Sequence, residues 1–150
     1  MLKYLQLDVL PKCPDAAILV LRVALGVQML TAHGWGKLVS FSEKAAQFPD
    51  PLHVGNTTSA ALAIAGEVVC SVLLILGLFT RPAAIGSLIT MTVAFLLVHG
   101  GKLSGEGNGE LAFLYLIGFL AILIAGPGRF SLDATLRGKG SSYRREGQSD

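Results

Sequence analysis

The sequence predicts an all-α, integral-membrane four-helix bundle running up-down-up-down. Three observations carry that reading. Hydrophobic residues make up 52% of the 150 and charged residues only 15%, where a soluble domain carries about 25% charged residues. Four apolar stretches recur, at residues 16–37, 59–79, 82–98 and 111–126, and a spanning helix needs about 20 mostly apolar residues. None of them shows the charged stripe that each helix of a soluble bundle exposes, and their short connections favour antiparallel neighbours.

Taken in order, residues 1–15 read as a cytoplasmic leader of mixed charge, in which Pro11 and Pro14 oppose a regular helix. No small-residue cleavage site follows the first apolar run, so that segment is expected to remain in the mature protein. The membrane domain is expected over 16–136. Its first helix runs from Ala16 through Ala32 towards Lys37, with Trp35 as an interfacial aromatic and the Lys37 ammonium reaching for water. A polar connection over 38–58 holds a short amphipathic turn of helix at 42–48, broken by Pro49-Asp50-Pro51. The second helix, 59–79, carries one ionisable residue, Glu67. Thr80-Arg81-Pro82 turns the chain into an uncharged third helix, with proline at its start. A glycine-rich loop and Glu110 lead into the fourth, which Pro127-Gly128 ends. Residues 137–150, with Arg137, Lys139, Arg144 and Arg145 among Gly and Ser, read as a disordered basic tail.

The net charge of +2 is distributed unevenly. Lys3, Lys12, Arg81, Arg129 and the tail cations fall on one side of the bundle, and only Lys37, Lys44 and Lys102 on the other. The positive-inside rule then places both termini in the cytoplasm. A short echo, His33-Gly34-Trp35-Gly36-Lys37 against His99-Gly100-Gly101-Lys102 and Gly66-Glu67 against Gly109-Glu110, suggests two related helical hairpins. Two function classes are set aside. Cys13 and Cys70 form no Cys-x-x-Cys, which removes the usual basis for a thiol relay or a zinc knuckle. Gly105, Gly107 and Gly109 follow no strand, so they are not a dinucleotide loop. No nucleic-acid partner is expected.

Arg22, Gly26, Met29, His33 and Lys37 share one helical face. An arginine inside an apolar span costs roughly 2.5–3.5 kcal/mol and must turn to the protein interior and a partner. Glu67 is the expected partner, offset by roughly 9 Å along the membrane normal. The pair reads either as a structural clamp or as a device that tunes a proton-exchanging or headgroup-holding carboxylate. His33 and His99 close two helices on the same side. They read as a metal or haem pair, as donors to a quinone carbonyl, or as simple helix-end caps. The sequence lacks the Glu-x-x-His of di-iron bundles, and no metal site is expected. Cys70 is expected as a small core residue and the glycines as close-packing positions.

These residues resemble the DoxX family of small bacterial four-helix membrane proteins, from roughly Leu19 to Leu136. The resemblance is carried by Arg22…Gly26, His33-Gly34…Lys37, Gly66-Glu67, Leu76-Gly77-Leu78-Phe79-Thr80-Arg81, Met91, His99, Asn108-Gly109-Glu110-Leu111, Tyr115-Leu116, and the run from Gly126 to Asp133. The family is named for a subunit of a thiosulfate:quinone oxidoreductase. The resemblance implies a multi-pass protein of the bacterial inner membrane, serving as a subunit of a quinone-linked oxidoreductase or redox-protection complex. Glu67, His33 and His99 are the expected catalytic residues around a quinone headgroup at the outer interface. Arg22 would set the charge of Glu67, and Lys37, Lys102 and Glu110 would line the water-side entrance. The expected cofactor is a quinone, not covalently bound. The expected partners are the lipid bilayer, a soluble or membrane redox protein, and a second copy of the chain. Two alternatives come from other classes: a non-catalytic scaffold that recruits soluble proteins through its basic tail, and a small-solute or proton-coupled carrier.

Overall fold

A computed structural model describes residues 13–138. Four helices form the bundle: α1 (Pro14–Val39), α2 (Asn56–Leu76), α3 (Thr80–Val98) and α4 (Glu110–Ala125). A short turn of helix at Phe41–Lys44 lies in the α1–α2 connection, and a further helix, α5, follows the bundle over residues 132–138. Among the described residues there is no strand. The expected leader, apart from residues 13–15, and the expected tail beyond 138 lie outside the described residues.

Helix ends differ from the sequence expectation by at most three residues. Pro14 opens α1 instead of opposing it, since a proline at the first helical position lacks only an N–H that would be unpaired anyway. Asp15 adds a favourable negative charge to that first turn. The α2–α3 turn lies at 77–79, and Pro82 falls inside the first turn of α3. Gly77 takes the left-handed conformation that ends α2, with φ 68°, and the Leu78 amide closes back on the Leu73 carbonyl at 3.0 Å.

α1, α2 and α3 are long and apolar enough to cross a membrane. α4, at 16 residues, spans about 24 Å but runs beside them as the fourth member of the bundle. Met29, Leu74, Ala84, Phe119 and Ile122 are wholly buried at its centre. Val20, Leu62, Ile89, Leu114 and Ile124 point outward, a surface that only lipid solvates well. The chain is a membrane protein.

One end of the bundle is tied by a charge. The Arg22 guanidinium, 1% exposed, donates from Nη1 to the Pro127 carbonyl and from Nη2 to the Phe130 carbonyl at 2.7 Å. A side chain at residue 77 would meet it, because a Cβ there lies 2.7 Å from the Arg22 Cζ. Asp133 adds a second tie, accepting the Phe79 and Thr80 amides at 2.9 Å each. Its own amide donates to the Gly77 carbonyl at 2.9 Å. This anchors Phe79, whose φ of 47° is strained for a non-glycine residue. Burial raises the Asp133 pKa, but the amides of Thr80 and Phe79, with Arg137 nearby, outweigh it and hold the carboxyl below the usual range.

Two outcomes follow. Arg22→Met leaves two carbonyls without a donor and lowers stability by about 2–4 kcal/mol, read as thermal unfolding in detergent. Because the Asp133 pKa is depressed by folding, its contribution is present above about pH 4 and is lost as pH falls through the folded value. Hydrogen exchange at the Phe79 and Thr80 amides, corrected for intrinsic rate, is therefore faster at about pH 3 than at about pH 6, and Asp133→Asn abolishes that difference.

Candidate functional site

The register between α1 and α2 decides which charges meet. Gly34 lies directly on the α2 backbone, where a Cβ would stand 2.8 Å from the Glu67 carbonyl oxygen and 2.7 Å from Val68. Gly26 sits against Ser71 and Ile75, and Arg22 against Gly77. Arg22 and Glu67 are thus about ten residues apart in register, or about 15 Å along the axis, beyond the reach of one side chain. The expected Arg22–Glu67 pair does not form. The partner of Glu67 is Lys37, whose ammonium lies 2.5 and 2.6 Å from the two carboxylate oxygens. Glu67 is 4% exposed, while the Lys37 side chain is 34% exposed and lies 5.9 Å from the Phe48 ring centroid.

A change of helical pitch places the neighbouring histidine. The buried residues of α1 are Arg22, Gly26, Met29 and then Gly34. The last step is five residues because Leu30–Gly34 form a π-helical turn. Gly34 therefore takes the contact position that regular spacing assigns to His33. His33 swings towards α4 and meets Tyr115 edge-on, with ring centroids 5.6 Å apart. α2 has a π turn at Ala65–Val69, which contains Glu67, and α3 has one at Ala94–Val98, just before His99. Such turns are rare and concentrate at functional sites.

The three turns border a mainly apolar cavity of about 740 Å³, within the range of about 300–1,000 Å³ that holds small-molecule ligands. Its polar groups include His33, Lys37, Glu67, His99, Asn108 and Tyr115, with the hydroxyl residues Ser59 and Thr90. Tyr115 is 4% exposed, and its hydroxyl has no hydrogen-bond partner among the described residues. Phe48, Pro49, Pro51 and Leu52 cover one end. Asp50 pins that cover by accepting the Ser59 hydroxyl at 2.6 Å and the Gly55 and Val54 amides at 2.8 and 3.0 Å. The Ser59 bond is the main reason the Asp50 carboxyl sits below the usual carboxylate range. A smaller recess of about 330 Å³, bordered by Ser40, Lys44 and Ala60, meets the main cavity at His33, Lys37 and Phe48.

The structure thus brings His33, Lys37, Glu67 and His99 together at one cavity. The His99 Nδ1 also lies 3.0 Å from the Gly107 carbonyl. Lys102 and Glu110 are exposed and do not border the cavity, and Arg22 lies near the other end of the bundle. The echo between Glu67 and Glu110 stops at the sequence, since one is buried in mid-helix and the other exposed in a first turn. The sequence reading missed Tyr115 as a site residue. Its signal was present: it is the one tyrosine inside the four apolar stretches. Among the described residues, no three of His, Cys, Asp and Glu gather closely enough to hold a metal ion. The arrangement offers hydroxyl and imidazole donors and a buried ion pair to a ligand whose body is apolar.

Lys37→Met strands a buried carboxylate and lowers stability by about 1–3 kcal/mol, the exposed end of the lysine being screened by water. Adding Glu67→Gln to it restores most of the loss. A thermal-unfolding double-mutant cycle in detergent reads that coupling.

The DoxX family profile matches residues 17–100. An uncharacterized protein of Haemophilus influenzae is 37% identical over 117 residues, 70% of this chain and 80% of that protein. The inner membrane protein YqjF of Escherichia coli is 30% identical over 133 residues, 85% of this chain and 98% of that protein. An uncharacterized membrane protein of Mycobacterium tuberculosis, Rv3486, is 40% identical over 82 residues, 47% of this chain and 50% of that protein. No solved structure matches. The matched segment holds α1, α2 and α3 with the Lys37–Glu67 pair, His33 and His99, and the chain belongs to the DoxX family.

Proposed function

We propose that the chain is the membrane subunit of a quinone-linked oxidoreductase or redox-protection complex, and that its cavity holds the quinone headgroup. The observation that carries the reading is the Tyr115 hydroxyl, buried and unpaired in an apolar cavity beside His33 and the Lys37–Glu67 pair. A buried hydroxyl without a partner costs about 1–3 kcal/mol, and a quinone carbonyl accepting its proton removes that cost. The His33 imidazole stands edge-on to Tyr115 and supplies a second hydrogen-bond donor. Glu67, bound to a lysine that reaches water, is the group that passes protons to or from the reduced headgroup. His99 stands at the rim, fixed by its contact with Gly107. The chain carries no electron-carrier motif of its own, so electrons come from a soluble or membrane redox partner.

The same reading assigns an orientation. Arg81, Arg129 and Arg137 lie at the end of the bundle near Arg22, and the positive-inside rule puts that end in the cytoplasm of a bacterial inner membrane. The headgroup site then lies in the outer half of the bilayer.

The test is protein purified in mild detergent, its bound lipids extracted and assayed for quinone. Wild-type protein carries quinone near one equivalent. Tyr115→Phe binds quinone about tenfold more weakly, the loss of one buried bond being worth about 1.4 kcal/mol, and retains clearly less at equal protein. Absence of quinone from the wild type, or full retention in both Tyr115→Phe and Glu67→Gln, overturns the reading.

A further inference from the structure

We infer that the cavity is filled sideways from the bilayer, through a gap between α2 and α3, and that its ligand keeps an apolar tail in that gap. This rests on the quinone reading of the site and narrows its ligand to molecules dissolved in the membrane. The cavity wall and the lipid-facing surface share residues here. Leu62 and Ile89 both border the cavity, yet they are 52% and 59% exposed, and Ala65 is exposed beside them. Leu62 lies in the first third of α2, and Ile89 lies at the middle of α3. The opening therefore stands at hydrocarbon depth and not in water.

The gap has a floor. The Ser87 hydroxyl donates to the Gly66 carbonyl at 2.9 Å, and Gly86 packs against the Cys70 sulfur. There, and at Thr90 where it lies on Gly66, α2 and α3 touch, so the gap opens above that contact, towards Leu62. The water-side end, by contrast, is covered by Phe48, Pro49 and Leu52, on a loop that Asp50 pins with three hydrogen bonds. A solute arriving from water has to displace that apolar cover. A molecule already in lipid meets only side chains that lipid itself touches.

Three polar groups stand on the opposite wall, while Glu67 and Thr90 stand on α2 and α3 themselves. Lys37 and His33 belong to α1 and Tyr115 to α4, across the bundle from the α2–α3 gap. A ligand that enters between Leu62 and Ile89 leads with its polar head towards Tyr115, His33 and the Lys37–Glu67 pair. Its tail trails into the gap. The polarity of the cavity thus matches an amphiphile with an acceptor-bearing head and a long chain.

The test compares two probes on protein in lipid nanodiscs: a quinone with a long isoprenoid tail, and the same headgroup with methyl in place of the tail. Leu62→Trp/Ile89→Trp narrows the gap and leaves the headgroup wall untouched. The double variant is expected to weaken binding of the long-tailed quinone at least tenfold, while the tail-less headgroup binds within about twofold of wild type. Ala63→Leu, a smaller plug on the same wall, shows the same selectivity should the double tryptophan fail to fold. Ile124→Trp, equally exposed to lipid on α4 but away from the cavity, leaves both probes unaffected. Equal binding of both probes by wild type and the gap variants overturns the lateral route, as does equal loss of both. Wild type that binds neither probe overturns the quinone reading itself, a different result from either.

Discussion

Arg22 and Glu67 each place a charge on a helix where lipid cannot solvate it, and the arrangement of the bundle follows from how each is satisfied. For Arg22 the solution is backbone. α4 ends at Gly126, and the chain that follows presents the Pro127 and Phe130 carbonyls to one planar guanidinium. That requirement explains why the strap after α4 lies against α1, and why residue 77 has no side chain. Asp133 and Asp15 extend the same ties to the α2–α3 turn and to the start of α1. One end of the bundle is held by several mutually supporting hydrogen bonds.

The other end is built differently. Its charge is met by a single partly exposed lysine, three of its helices carry π turns, and the helices part around a cavity. A π turn inserts one residue into the repeat and rotates everything beyond it. In α1 this turns His33 from the α2 contact to Tyr115 and leaves a glycine where the backbones cross. The close approach of Gly34 to the Glu67 carbonyl is what brings Lys37, one turn further on, within reach of the carboxylate. The rigid end positions the helices; the looser end carries the polar groups.

Much of this was legible in the sequence. Four apolar stretches bounded by turn residues gave the helices to within three residues, the rarity of ionisable groups inside them singled out Arg22, Glu67 and His33, and His99 stood out at the end of the third. Three things were not legible. The partner of Arg22 is a pair of carbonyls, which no residue type announces. The register of α1 on α2 depends on where glycines let backbones touch, and a depth counted from helix ends misplaces Glu67 because α1 runs five residues past Gly34. The π turn breaks the 3.6-residue period on which a shared face for Met29, His33 and Lys37 relied. Tyr115 was concealed for another reason. In an all-apolar helix it reads as one more large core residue until the structure shows its hydroxyl alone in a cavity.

The exchange of Arg22 for Lys37 as the partner of Glu67 changes what the carboxylate can do. A guanidinium stays protonated at every accessible pH, so an Arg22–Glu67 pair would hold a permanent carboxylate and act as a clamp. A lysine ammonium is instead a compact charge on a flexible stem, and it holds the carboxylate without the planar fork of a guanidinium. Lys37 also borders both the apolar cavity and the smaller recess that contains Ser40 and Lys44. The Glu67 carboxylate thus faces the cavity on one side and a lysine on the other, and that lysine has a side open to water. In this bundle the Arg22 clamp and the Lys37–Glu67 pair are separate devices at opposite ends, and the second is the one that shares its cavity with Tyr115.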